Sequence, residues 1–234
     1  MSLETIGYAL VGGLLPPLIW LYFLLKEDSR CPEPRHLIIA AFIAGALAVP
    51  VALFFEHRAV EALASGLPLL TAWAVIEETA KYALVALVIL WRRAVNESLD
   101  YVIYLITAAL GFAALENALF LLGPLSGGDF VGGLVTNNLR FMGATLLHVV
   151  ASSAIGFALA FSYRARPILR TAYASLGLIL AITLHALFNF LIIAKGGSHM
   201  LEAFFTVWTG ALVFFALFEI LKYLRYRRLP KNAC

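Results

Sequence analysis

The sequence predicts an all-α, polytopic transmembrane helix bundle of about seven spans, N-terminus outside and C-terminus cytoplasmic. Three observations carry that prediction. Of the 234 residues, 62% are hydrophobic and only 13% are charged. Mean hydropathy is +0.92, whereas soluble domains are about half apolar and a quarter charged. Seven runs are long and apolar enough to cross ~30 Å of hydrocarbon, which takes about 20 residues each. The basic residues between those runs fall overwhelmingly on one side. This composition excludes a water-soluble globule, a disordered chain, a coiled coil and a nucleic-acid binder. The net charge of +3 is too small to matter as a sum. The chain reads as one integral membrane domain over residues 1–234, a multi-pass protein of the cell membrane.

The runs follow in order. Thr5 to Leu25 has no basic residue in its Met1-Ser2-Leu3-Glu4 flank and is too long for a signal core, so it reads as a retained helix. His36 to Phe55 is next; Pro16-Pro17 and Pro50 are expected to kink these first two spans. Leu67 to Trp91 and Leu99 to Leu122 are the third and fourth. From Gly123 to Gly133 the chain is glycine-rich and reads as an outer loop, either a plain flexible connection or a mobile gate. Asn138 to Ser162, Leu169 to Ala194 and Met200 to Leu224 complete the set. Each run is too continuously apolar for the strand of an outer-membrane barrel. Backbone groups in lipid must pair internally, which leaves helices.

Orientation follows from charge. Lys26, Arg30, Arg35, Arg92, Arg93, Arg164, Arg166, Arg170, Lys222, Arg225, Arg227, Arg228 and Lys231 fall on one side; Arg58, Arg140 and Lys195 fall on the other. The richer side is expected to be cytoplasmic. Cys31 and Cys234 then lie where thiols stay reduced, and no disulfide is expected.

Ionisable groups within spans are functional candidates, because each costs about 2.5–3.5 kcal/mol at the bilayer centre. The third span holds Glu77, Glu78 and Lys81, and the fourth holds Glu116 with Asn117 beside it. His148 lies in the fifth, and His185 with Asn189 in the sixth. The three Glu and one Lys would together forfeit ~10–14 kcal/mol if charged and facing lipid. Counted from the span edges at 1.5 Å per residue, Glu77, Glu116, His148 and His185 all lie about 10–15 Å below the outer surface. One shared polar cavity explains four helices bringing costly groups to one level. Helical spacing lets Lys81 neutralise Glu77 or Glu78 on its own helix and puts His185 and Asn189 on one face. Three carboxyls against one ammonium leave two negative charges, to be met by a retained proton or by a divalent cation. Glu56, His57, Asp100, His199 and Glu202 sit at span edges and read as solvated, while Glu219 is expected to pair with Lys222.

Glu77-Glu78-Thr79-Ala80-Lys81 fits E-E-x-x-K, Phe112 through Asn117 fits F-x-x-x-E-N, His148 follows on the next span, and His185 through Asn189 fits H-x-x-x-N. This ordered set resembles the PrsW family of intramembrane proteases. It is distantly similar to the CAAX prenyl-endopeptidase group and to the Aph-type subunit of gamma-secretase. The resemblance covers the third to sixth spans, a catalytic core of about residues 67–194. It implies hydrolysis of peptide bonds in membrane-anchored proteins, of the site-one type that acts on anti-sigma factors. By that comparison Glu77 activates water, Glu78 and Lys81 buttress it, His185 and Asn189 hold the oxyanion, and Glu116 and His148 complete proton transfer. The CAAX group has E-E-x-x-x-R and a histidine where this chain has Glu116, so its mechanism carries over only in part.

Amide hydrolysis needs a base for water, an acid for the leaving amine and donors aimed at the oxyanion, and this residue set contains all three. The leading expectation is a glutamate protease with no cofactor, acting on single-span membrane proteins. A zinc protease built on Glu116, His148 and His185 is the alternative, although the usual H-E-x-x-H pair is missing. A non-catalytic scaffold and an ion-coupled transporter belong to other classes; the lack of a repeated half weighs against transport.

Overall fold

The structure, a computed structural model, describes residues 2–28, 31–194 and 198–227. Among the described residues it is all helix and turn, with no strand. The helices are α1 (Leu3–Glu27), α2 (Arg35–Ala62), α3 (Leu67–Val85), α4 (Ser98–Ser126), α5 (Phe130–Met142), α6 (Ala144–Phe161), α7 (Pro167–Asn189) and α8 (Met200–Tyr226). A five-residue π-helical turn continues α3 through Ala86–Leu90, and another continues α7 through Phe190–Ala194. Six stretches are long and apolar enough to cross a membrane, with α5 and α6 together counting as one. The seventh span is α3 with its π turn; its three charged residues set it apart from the others.

Side-chain pairs fix the directions. Glu33, just before α2, meets Tyr104 near the start of α4, and Glu56 near the end of α2 shares a cavity with Glu116 of α4, so the two helices run parallel. The pairs Asn117–Thr145 and Gly156–Val102 set α4 antiparallel to α6. Gly143 against Phe204 and Gly210 against Val150 set α6 parallel to α8. This is the alternation that seven consecutive crossings require.

Helix α4 is the axis of the bundle. Every residue from Leu99 to Ala114 is buried, as a helix apolar on all sides should be when its neighbours sheathe it. Lipid tails are as apolar as leucine, so helix association in a bilayer relies on close backbone packing. A Cβ added at Gly45 would lie 1.8 Å from the Ala108 carbonyl oxygen, and one at Gly111 would lie 1.9 Å from that of Phe42. Gly13 touches the α4 backbone at Ala114 and Ala118 in the same way.

The basic ends of α1, α4 and α8 are tied together. Lys222 Nζ lies 2.7 Å from Glu27 and 2.8 Å from Glu219. Arg225 pairs with Asp28 and with Glu97. Asp28 is buried, and burial pushes its carboxyl up to about 7 against the opposing pull of Arg225. Asp100, which the sequence places in solvent, is buried because it closes a capping box, accepting from the Asn96 and Glu97 amides at 2.8 Å.

Two further readings change. The glycine-rich stretch is mostly helix: α4 runs on to Ser126, and α5 starts at Phe130 with Asp129 accepting from the Gly132 amide at 2.8 Å. The fifth span breaks at Gly143, where φ is −112° and ψ −76°, and a Cβ would meet the Phe204 ring at 2.5 Å. Arg30, Lys195, Arg228, Lys231 and Cys234 lie outside the described residues.

Candidate active site

At the end of the bundle away from Arg225, a cavity of about 340 Å³ is lined from α2, α3, α4, α5, α6 and α7. Glu77, Glu116, His148, His185 and Asn189 all line it. Glu78 and Lys81 lie just behind, fully buried. All seven residues singled out in the sequence therefore meet in one place.

The helices place them by spacing. Lys81 reaches back one turn to Glu78, Nζ to Oε1 at 2.5 Å. Of the two carboxylates open to Lys81 by spacing, the structure thus pairs it with Glu78. The ammonium also lies 4.4 Å from the centre of the Phe112 ring. Ser152, one turn after His148, donates to Glu78 Oε2 at 3.3 Å. His185 Nδ1 lies 2.8 Å from Glu78 Oε1. With both its oxygens accepting, Glu78 satisfies three groups from three helices, which is what a buried carboxylate needs.

Partners also assign the imidazole protons. An ionised carboxylate only accepts, so His185 Nδ1 carries the proton and Nε2 presents a lone pair. That Nε2 faces Glu77 Oε2 at 3.8 Å. Glu77 Oε2 is itself buried without a hydrogen-bond partner. The Nε2 lone pair thus faces a buried carboxyl oxygen at a distance too long for a direct hydrogen bond. His148 is assigned in the opposite sense. Its Nδ1 lies 2.9 Å from Lys81 Nζ, which only donates, so Nε2 holds the proton and gives it to Glu116 Oε2 at 2.9 Å. The two imidazoles stand edge to face, centroids 5.2 Å apart.

Glu77, His148 and His185 each offer a ligand atom, all within 4.8 Å of one another. The sequence reading named Glu116 in place of Glu77. Glu116 Oε2 is instead taken up by His148 and by the Arg140 guanidinium at 2.5 Å. The set fits a tetrahedral N/O metal, with an orphaned buried carboxylate oxygen as its clearest sign. Zinc with ligands at about 2.0–2.1 Å wants its donors about 3.4 Å apart, so the 3.8 Å Glu77–His185 pair, in a set spread within 4.8 Å, must draw together on binding. His148 would also have to release its Nε2 proton.

Several site residues escaped the sequence reading. By sequence Arg140 is one of the few charges on the outer side, yet its Nε donates to Asn117 Oδ1 at 2.6 Å. Asn117 in turn donates to Thr145 at 2.9 Å. Glu56, expected in solvent, is half-buried in the cavity wall. Trp73 lines the wall as well. A signal for Arg140 was present: Phe130, Val131, Leu134, Val135, Leu139 and Met142 form an exposed stripe on α5, and Arg140 sits opposite it by helical spacing.

A seven-span bundle that buries a carboxylate–imidazole centre in a cavity of its own is the build of a membrane-embedded hydrolase. The chain belongs to the PrsW family: the family described as "PrsW family intramembrane metalloprotease" matches residues 33–221. That match runs from the start of α2 into α8, well beyond the four spans that carry the motifs. Curated relatives are each called "Protease PrsW". The one from Oceanobacillus iheyensis is 26% identical over 81% of this chain and 84% of the relative. Those from Geobacillus kaustophilus and Bacillus subtilis are 27% and 23% identical, over 86% and 78% of this chain and 88% and 82% of their own lengths. No solved structure matches the chain. The protein is a multi-pass membrane protease.

Proposed function

We propose that the chain hydrolyses a peptide bond of a single-span, membrane-anchored protein in the Glu77 cavity, with Glu77 as the base that takes the proton of the attacking water. The observation that carries this reading is the facing pair of atoms, Glu77 Oε2 and His185 Nε2, 3.8 Å apart with no direct hydrogen bond between them. A water seated against both donates its two hydrogens to them and turns a lone pair toward the substrate carbonyl. Glu78 keeps His185 in the required tautomer, and Lys81 balances Glu78. His148 and Glu116, already sharing a proton, stand ready to protonate the leaving amine. Asn189, one turn past His185 on the cavity wall, supplies the amide for the oxyanion. By resemblance the substrates are of the anti-sigma-factor type, and the depth of the cluster, about 10–15 Å below the outer surface, points to a cut near the outer end of their span.

A second reading is favoured by the three ligand atoms within 4.8 Å. Glu77, His148 and His185 would hold a zinc ion, which polarises a carbonyl and acidifies water when bound. Glu78 and Glu116 would then orient the two imidazoles from behind.

The test is cleavage of single-span substrates by purified protein in proteoliposomes. Wild type is compared with Glu77→Gln, with and without chelator, and metal content is measured alongside. Turnover lost in Glu77→Gln while the fold persists supports the proposal. Chelator-sensitive turnover with about one zinc per chain selects the second reading. Undiminished cleavage by Glu77→Gln sinks both.

A further inference from the structure

We infer that Arg140 is a positioning residue for this chemistry, acting through Glu116 on His148; the inference rests on the reading of the Glu77 cavity as the reaction site. The guanidinium spans two neighbours on α4, Nε to Asn117 Oδ1 at 2.6 Å and a terminal nitrogen to Glu116 Oε2 at 2.5 Å. Its carbon lies 3.9 Å from the centre of the Phe120 ring. Three contacts from one planar group leave it little freedom, and a lysine ammonium reproduces the charge but not the fork. Asn117 is fixed in turn, since its amide donates to Thr145 and its carbonyl oxygen faces Arg140.

Glu116 Oε2 accepts from both Arg140 and His148 Nε2. Arg140 thereby sets where that oxygen sits, and the oxygen sets the tilt of the His148 ring. The same ring meets Lys81 through Nδ1 and stands edge to face with His185. A continuous chain thus runs from α5 to the acceptor pair at Glu77. Arg140 itself lines the cavity without being part of that pair.

A purely structural role, pinning α5 to the bundle, would leave a different trace. In Arg140→Ala the expected result is a kcat about 100-fold lower, the scale of a misplacement near 1 Å, with KM little changed. Added methylguanidinium restores a large part of the lost rate, and Arg140→Lys falls between wild type and Arg140→Ala. Independently of turnover, nitrogen NMR of labelled histidine is expected to show the His148 Nε2 signal moved in Arg140→Ala and returned by methylguanidinium. A His148 signal and a kcat that ignore the substitution overturn the inference, as does a rate loss that methylguanidinium leaves untouched. If wild type itself cleaves nothing, the proposed function fails, while the NMR result still decides whether Arg140 positions His148.

Discussion

Replacing Gly111 with alanine is expected to separate α2 from α4 and to disturb the site five residues further along. A Cβ at this position would lie 1.9 Å from the Phe42 carbonyl oxygen and 2.8 Å from its carbon. Ordinary carbon–oxygen contact begins near 3.3 Å, so the helices must part by about 1.4 Å. The obstacle is backbone, which has no rotamer to retreat into. Overpacking of this kind costs about 1–3 kcal/mol. Glu116 rides on the same helix and is held to His148 at 2.9 Å, so the displacement reaches the centre. A shift near 1 Å is enough for about a 100-fold loss of rate. Thermal unfolding in detergent and cleavage in proteoliposomes measure the two effects separately. Gly123→Ala, where an added Cβ meets nothing within 4 Å, is the control. A Gly111→Ala protein with wild-type melting temperature and wild-type turnover would refute the reasoning.

Other expectations concern the charged pairs. Glu78→Gln should unfold at a much lower temperature than Glu77→Gln, because it strands the buried Lys81 ammonium, a loss of about 3–5 kcal/mol. Glu77 Oε2 has no partner to lose, so melting curves showing the reverse order would contradict the hydrogen-bond assignment. Asp28 gives a pH dependence. Burial pushes it up to about 7, opposed by Arg225 and Lys222 and reinforced by Glu33. Between about pH 4 and 7 the unfolded chain ionises this carboxyl while the folded chain keeps it protonated, so stability falls as pH rises through that window. Asp28→Asn escapes the penalty, and its melting-temperature advantage over wild type should grow from about pH 5 to pH 8. An offset that stays constant with pH would show that Asp28 does not titrate there.

The spans and the seven central site residues were legible because the bilayer makes both signals loud. A run of 20 apolar residues has few other uses, and a glutamate or histidine inside one is too costly to be incidental. The common depth of Glu77, Glu116, His148 and His185 on four spans then points to one shared cavity. Arg140, Glu56 and Asp100 lacked that contrast, since a charge at a span edge is cheap whether it faces water or protein. Their burial depends on which helices lie side by side, and hydropathy carries no information about that. That Glu77 rather than Glu116 completes a possible ligand set with the two histidines turned on Arg140 in the same way. The break at Gly143 was hidden because an apolar run looks the same whether its helix is straight or bent.

The central place of α4 constrains how this sequence can drift. A helix with one sheltered side accepts changes on its outer face, as α8 should, with its alternation of exposed and buried positions from Leu201 to Leu224. From Leu99 to Ala114 no such face exists. A saturation library is therefore expected to tolerate variation on α8 with a periodicity of 3.6 residues and to reject it along α4 without any period. Relatives adapting to new substrates or thicker bilayers would have to do so on the outer helices, around a spindle they cannot re-cut.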